Sequence, residues 1–416
     1  MSRRRIAVVS PFIDKHHGTE RRVAEFVSRL ADEYEFHIYS NRVEDVDLGR
    51  VIWHRVPALR GPHLVGYLWW LAANHICRWR DRAKGIVPDV VYSPGVNCLD
   101  ADAISVHILF AGFYHSMEDQ LSLSRNPLSA WPRMIHRRLY YALVGALESR
   151  IYNRPVRLAA VSKKTAADLK RLYPGVADIS VIYNGLDLEC FSPRRRAGLR
   201  GESRGAFSIR DDEFVLLLIG NDWRNKGLAC MLEAMAQVAD PRLRALVVGS
   251  DSASGFRSLI ARLALDTRVH FCPPRRDVET YYAAADAYVG ASLDDAFAQP
   301  PSEAMACGLP VITSKQNGGS EIITHGCDGL VLENAADSKA LADMHMARAT
   351  VRCAGRAVDP CYFLSNRHLP APWADTAKDL EGSRDYHSTI GSFGLPLLLR
   401  IHEQISVGDG TLFDAL

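Results

Sequence analysis

The chain has 416 residues, 48% of them hydrophobic and 24% charged, with 50 basic and 48 acidic side chains. That is ordinary for a globular protein and too long for a single hydrophobic core, so two domains are expected. Its 9 cysteines are scattered with no Cys-x-x-Cys pair, which argues against a disulfide framework or a structural zinc and for a reducing compartment.

The net charge of +2 hides an imbalance: residues 1–200 hold 30 Lys and Arg against 20 Asp and Glu, and the remainder 20 against 28. A basic first half suggests an anionic partner. No segment reaches the run of about 18 apolar residues that spans a bilayer. The stretch Met1 to Ser10 reads as a first strand rather than a signal peptide. A cytoplasmic protein is expected, free or peripheral at the inner face of a membrane.

Strands are predicted at Ile6–Ser10, Glu35–Tyr39, Val51–Val56, Asp89–Tyr92, Ala103–His107 and Arg157–Ser162, with an amphipathic helix over Glu20–Leu30 that turns Val23, Phe26 and Leu30 inward. Strands alternating with helices imply a doubly wound parallel sheet. Two stretches mix apolar, aromatic and basic residues: His63–Arg80, rich in Trp and ending in arginines, and Pro132–Tyr141. Each suits a helix lying on anionic lipid, or a core helix with a solvated basic end.

Pro193–Gly205 is polar, glycine-bearing and non-periodic, and reads as a linker. Near-continuously apolar strands follow at Phe214–Ile219, Leu243–Val248, Val269–Phe271, Ala287–Val289 and Pro310–Thr313, as expected for a sheet covered on both faces. The patterning decays after about residue 344. The expected organisation is an α/β pair of doubly wound Rossmann-like domains, 1–195 and 196–345, followed by an atypical tail, 346–416.

The most informative window runs from Asp295 to Ser314. Pro300 and Pro301 precede a short helix that Gly308 ends, with Glu303 expected in its first turn and Asp295 just before it. A helix opening at the carboxyl end of a strand presents free N–H groups that suit a diphosphate. The two acids can accept hydrogen bonds from sugar hydroxyls; equally, they can favour the helix dipole. In Ile219–Leu228, Arg224 and Lys226 are two cations in a strand-to-helix turn, suited to a diphosphate or to solvent. Neither half opens with G-x-G-x-x-G, which speaks against a nicotinamide dehydrogenase.

Asp295 to Val311 resembles the nucleotide-sugar motif of family-4 glycosyltransferases of the GT-B fold: an acid, seven residues, Glu, then Ala-Met-Ala-x-Gly-x-Pro-Val. Three further elements agree: Lys226-Gly227-Leu228, Ile182 to Pro193 around Asn184-Gly185, and Gly318-Gly319 leading to Glu321. The resemblance implies a metal-independent, retaining glycosyltransferase with its donor in a cleft between two Rossmann-like domains. It implies Glu303 as ribose ligand, Asp295 at the donor sugar with a side chain one methylene shorter than the usual Glu, and Lys226, with Arg224, over the diphosphate. Main-chain N–H groups around Phe297, Ala298 (usually Gly) and Gln299 would approach the donor. Gly18 of His16-His17-Gly18-Thr19-Glu20-Arg21 matches a Gly-x-x-Arg loop at donor phosphate and acceptor, and His107 a histidine at the donor sugar. On the same resemblance Glu321 would buttress the pocket, and Trp373–Gly382 would be the C-terminal helix that crosses back to the first domain.

Same-face attack, with the leaving phosphate taking the acceptor's proton, is the mechanism the family implies. Gly220-Asn221-Asp222-Trp223 before Lys226-Gly227 is similar to a loop in lipopolysaccharide-core glucosyltransferases. This points to a hexose from a nucleotide diphosphate sugar, with a UDP-sugar favoured, and to a lipid-linked or envelope-glycan acceptor. The expected partners are that donor, that acceptor and an anionic membrane surface, with no nucleic acid, metal or other cofactor. Two alternatives stand beside it: a non-catalytic nucleotide-sugar binder and a nucleotide-sugar 2-epimerase of the same fold.

Overall fold

The computed structural model describes residues 3–15, 18–116, 129, 131–176, 179–238 and 240–351; the side chains of 345–351, 113, 115 and 116 are not described. Two compact units divide between Asn184 and Gly185, earlier in the chain than the boundary expected near residue 195.

The first unit contains, in order, β1 (Arg5–Val9), β2 (Phe12–Ile13), α1 (Gly18–Leu30), β3 (Glu35–Ser40), β4 (Arg42–Val43), β5 (Ile52–Arg55), α2 (His63–Ala83), β6 (Val90–Pro94), β7 (Ala103–Val106), α3 (Phe110–Ser116), α4 (Trp131–Tyr152), β8 (Arg157–Ala160), α5 (Lys163–Leu172) and β9 (Ile179–Val181). Its main sheet is ordered β5-β3-β1-β6-β7-β8-β9. Every pairing in it is parallel. Successive side chains of a strand point to opposite faces, and β1 shows it. Ile6 and Val8 pack with Val23 and Val27 of α1, while Ala7 and Val9 pack with Trp70 and Ala73 of α2.

That contact places one face of α2 in the core. Its other face leaves Val65, Leu68, Trp69, Ile76 and Trp79 exposed, an apolar stripe opposite the buried side. On α4, Met134, Val144, Ile151 and Tyr152 are buried and Ile135 and Leu139 are exposed. No helix among the described residues is long and apolar enough to cross a membrane.

The second unit contains α6 (Pro193–Ala206), β10 (Phe214–Ile219), α7 (Leu228–Gln237), β11 (Leu243–Val248), α8 (Arg257–Arg262), β12 (Val269–Cys272), α9 (Glu279–Ala284), β13 (Ala287–Gly290), α10 (Gln299–Ala306), β14 (Val311–Ser314), β15 (Leu330–Leu332) and α11 (Ser338–Val351). The parallel sheet runs β12-β11-β10-β13-β14-β15. Leu216 and Leu218 face a core shared with α7 and α11, whereas Val215 and Leu217 face one shared with α9 and α10.

The expected linker over 193–205 is instead α6. Ser192 caps it by accepting the Arg195 N–H, and Pro193 opens its first turn. Arg196, Arg200 and Arg204, four residues apart, line one side of it. Their guanidinium groups donate to Ala285 O (2.9 Å), Asp286 Oδ1 (2.7 Å) and Ala284 O (3.1 Å), satisfying the end of α9. Polar contacts hold this helix, so no apolar period announces it. The helix expected at Trp373–Gly382 lies outside the described residues, as do His16 and His17.

Candidate active site

The second sheet reverses its strand order between β10 and β13, so the loops leaving these strands diverge and leave a crevice at their carboxyl ends. Lys226 and Asp295 sit on those two loops. Gly227 (φ 82°) lets the first loop press on the second: a Cβ there would stand 2.1 Å from the Ala291 carbonyl oxygen. The Lys226 stem passes over Gly220, whose missing Cβ would be 3.2 Å from Lys226 Cε. Asp295 is held from the other side, donating its N–H to Gln316 O (3.1 Å) and accepting the Gly318 N–H (2.9 Å). Lys226 Nζ donates to Asp295 Oδ2, and the two side chains keep 18% and 15% exposure. A partly desolvated pair of this kind is felt more strongly by a ligand than the same charges in bulk water.

Glu303 lies in the second turn of α10, not the first, because the helix begins at Gln299 and takes both prolines into its opening turn. Ala298 is its N-cap and no side chain caps it, so neither acid serves that purpose. Glu303 is only 3% exposed, and its Oε2 accepts a 2.6 Å hydrogen bond from the Tyr282 hydroxyl. Burial, and then the Glu303 charge, push that phenol well above the usual tyrosine range. Tyr288 is pushed up as well, by burial and then by the charges of Asp295 and Glu303 together. One buried phenol therefore feels both carboxylates, which ties the two acids to a single locality.

Two of the N–H groups expected to face a donor, those of Phe297 and Ala298, are engaged within the protein. Phe297 donates to Asp295 Oδ1 (3.2 Å) and Ala298 to Asn317 Oδ1 (3.0 Å). Asn317, fully buried, also accepts the Gly319 N–H and donates to Thr313 Oγ1 (3.1 Å). The Gln299 side chain donates to Gly185 O (3.1 Å). Arg224 is exposed, with no ion pair or side-chain hydrogen bond among the described residues, and so is not gathered with Lys226. Tyr282, Tyr288 and Asn317 were missed as site residues: Tyr288 lies in the apolar strand Ala287–Val289, Asn317 stands just before the Gly318-Gly319 element, and nothing local marks Tyr282.

In the first unit, Gly18 begins α1, with open space where a side chain would stand. His107 follows β7 and is half-buried. Its Nε2 is 2.9 Å from Ser105 Oγ, which lies 2.7 Å from the Tyr92 hydroxyl. Its Nδ1 faces Arg22 Nη1 at 3.5 Å. Arginine only donates, so Nδ1 accepts and the ring proton is on Nε2. Burial, and then the Arg22 charge, hold the imidazole well below its ordinary pKa, which keeps it neutral. A hydrogen bond from this ring to a sugar would displace Arg22 or Ser105.

Residues 16–190 match the family described as Glycosyltransferase Family 4, and residues 200–345 match Glycosyl transferases group 1. A D-inositol 3-phosphate glycosyltransferase of Mycobacteroides abscessus is 31% identical over 186 residues, covering 42% of this chain and 41% of that protein. One from Mycobacterium marinum is 30% identical over 226 residues, covering 52% and 46%. The chain thus aligns with less than half of the length of these relatives. WaaG, a glycosyltransferase involved in lipopolysaccharide biosynthesis, superposes with a TM-score of 0.68 at 19% identity, over 94% of this chain and 98% of its own. HepE from Anabaena, solved with UDP-glucose, gives 0.63 at 18% identity, over 95% and 99%. Two parallel-sheet units, the fold shared with these structures, and the two successive family matches over residues 16–190 and 200–345 place the chain among the group 1/family 4 glycosyltransferases.

Proposed function

We propose that the protein transfers a hexose from a nucleotide diphosphate sugar, with retention of configuration, and that the second unit binds the donor. The observation that carries this is the charged pair Lys226–Asp295 at the switch point of the second sheet, beside the buried Glu303. In this reading Lys226 turns to the diphosphate when donor arrives and neutralises charge on the departing nucleotide, with no metal required. Asp295, released from Lys226, accepts from a sugar hydroxyl, and Glu303, braced by Tyr282, accepts from the ribose. Gln299 and Arg224 serve donor recognition, and the engaged main chain at Phe297 and Ala298 fixes the loop. Gly18 and His107 serve substrate recognition in the first unit.

The bond from the anomeric carbon to the β-phosphate oxygen breaks, and its electron pair stays on the phosphate. The acceptor oxygen bonds to the same face of the sugar, and its proton passes to that phosphate oxygen. The protein supplies orientation and electrostatics. A uridine donor is favoured by the fold shared with HepE, which was solved with UDP-glucose. A lipid-linked or envelope-glycan acceptor is favoured by the exposed apolar face of α2 in a chain whose first half is basic, which suits an anionic membrane surface. The site chemistry and any membrane contact both belong in the cytoplasm. Incubation with a panel of labelled nucleotide diphosphate hexoses tests the reading: transfer or slow hydrolysis of one donor is expected, and no binding and no turnover of any of them would overturn it.

A further inference from the structure

The Lys226 loop and the Asp295 loop are joined by the residues immediately before their charged groups. Asn225 Nδ2 donates to the Asp294 carbonyl oxygen (2.8 Å), and Asn225 Oδ1 accepts the Asp294 N–H (3.1 Å). The Asn225 carbonyl oxygen accepts the Leu293 N–H (2.7 Å). A side-chain amide thus imitates a neighbouring strand, satisfying both backbone groups of a single residue. Asparagine suits this because it carries a donor and an acceptor at one short reach; aspartate lacks the donor and alanine lacks both. On its own side, Asn225 is anchored by its N–H to Asp222 Oδ1 (3.3 Å), in a turn where Asp222 adopts φ 57°.

We propose that Asn225 is a positioning residue for the donor site: by clamping Asp294 it sets where Lys226 and Asp295 stand relative to each other. The inference rests on the proposed donor role of those two residues. A cation for the diphosphate and a carboxylate for the sugar must be correctly spaced at the same moment. They come from separate strand–helix connections, β10–α7 and β13–α10, and beside the close approach of Gly227 to Ala291 it is Asn225 that ties the residues next to the charged groups. Asn225 acts through the pair and need touch no substrate.

The test compares Asn225→Ala and Asn225→Asp, each alone and combined with Asp295→Asn. Turnover of the donor identified in the panel is measured together with amide hydrogen exchange over residues 291–295. Asn225→Ala should raise exchange at Leu293 and Asp294. Asn225→Asp, which keeps an acceptor for the Asp294 N–H, should raise it at Leu293. Each should lower kcat/KM on the order of a hundredfold, the scale of a misplaced reacting group. In the Asp295→Asn background the same changes should cost less than about threefold, because the partner being positioned is already disabled. Unchanged exchange overturns the clamp whatever the activity does. Raised exchange with full turnover, or losses that multiply independently with Asp295→Asn, overturns the positioning role while leaving the donor site standing. If Lys226→Ala also keeps full turnover, the donor-site reading itself falls, and the positioning role falls with it. Asn225→Asp nearly preserves shape, so it keeps the test decisive if the alanine variant folds poorly.

Discussion

The Tyr282 hydroxyl and Glu303 Oε2 are 2.6 Å apart in an interior that leaves the tyrosine fully buried and the glutamate 3% exposed. That donor helps to stabilise a carboxylate so far from solvent, where burying charge is expensive. Tyr282→Phe removes the hydroxyl and keeps the ring, including its edge-on contact with Phe191. The expected outcome is a stability loss of about 1.5–3 kcal/mol, the worth of a hydrogen bond to a charged group. Donor affinity should fall along with it. Denaturant unfolding and a donor titration read the two effects, and an unchanged midpoint would show the bond to be energetically idle.

Lys226→Ala and Glu303→Ala should each remove most transfer while leaving the circular dichroism spectrum intact. For Lys226 a loss of at least about a hundredfold in kcat/KM is expected, because its fixed positive charge faces developing negative charge; for Glu303 the loss follows from the missing acceptor for the ribose hydroxyls. Undiminished turnover in either purified variant refutes the assignment. Arg224→Ala is the internal contrast, because that side chain is exposed and outside the pair. Its effect should be at most a severalfold rise in donor KM.

Gly227→Ala tests the contact between the two switch-point loops. The new methyl would sit 2.1 Å from the Ala291 carbonyl oxygen, on a backbone already at φ 82°. Strain at a left-handed non-glycine residue costs about 1–3 kcal/mol before any clash is counted. A melting temperature equal to that of the parent chain would contradict the close approach.

These residues differ in how far the sequence exposes them. The sheets were readable because strands covered on both faces are continuously apolar, as in Phe214–Ile219; Leu330–Leu332 escaped because three residues make no pattern. Helix α6 escaped for a different reason: Arg196, Arg200 and Arg204 are stabilised by α9 carbonyls and Asp286, which only the folded chain brings within reach. Lys226, Asp295 and Glu303 were singled out by the resemblance of their segments to the family's motifs. Their pairing was not, because Lys226 and Asp295 meet only once three successive crossovers bring β13 back beside β10. The placement of Glu303 beneath the surface, and the use of the Ala298 N–H by Asn317, likewise depend on tertiary neighbours with no local signature.

His107 makes the first unit sensitive to acid. Its imidazole is held neutral by burial and by Arg22, with Ser105 and Tyr92 on the other side of the ring. Because the folded-state pKa is depressed, the unfolded chain binds the proton first as pH falls. The stabilisation is complete above the unfolded histidine value of about 6.5 and is lost progressively below it. Thermal unfolding followed from pH 8 to pH 5 should show this decline, and His107→Asn should flatten it. An identical slope in the variant would mean that other groups carry the acid sensitivity.

The outer face of α2 carries the membrane expectation. Leu68, Ile76 and Trp79 are exposed, Trp79 at 66%, and the helix ends in Arg80 and Arg82. Apolar side chains beside cations are suited to the headgroup boundary of an anionic bilayer, where the arginines find lipid phosphates while the indole enters the interface. Because these side chains contribute little to the core, replacing all three with serine should leave the fold and the melting temperature nearly unchanged. Co-sedimentation with vesicles containing phosphatidylglycerol should fall several-fold, and parent-chain binding should weaken as salt rises, since screening shortens the reach of the arginines. Parent protein that stays in the supernatant at low salt would remove the membrane from the account and leave the α2 stripe as surface without a partner.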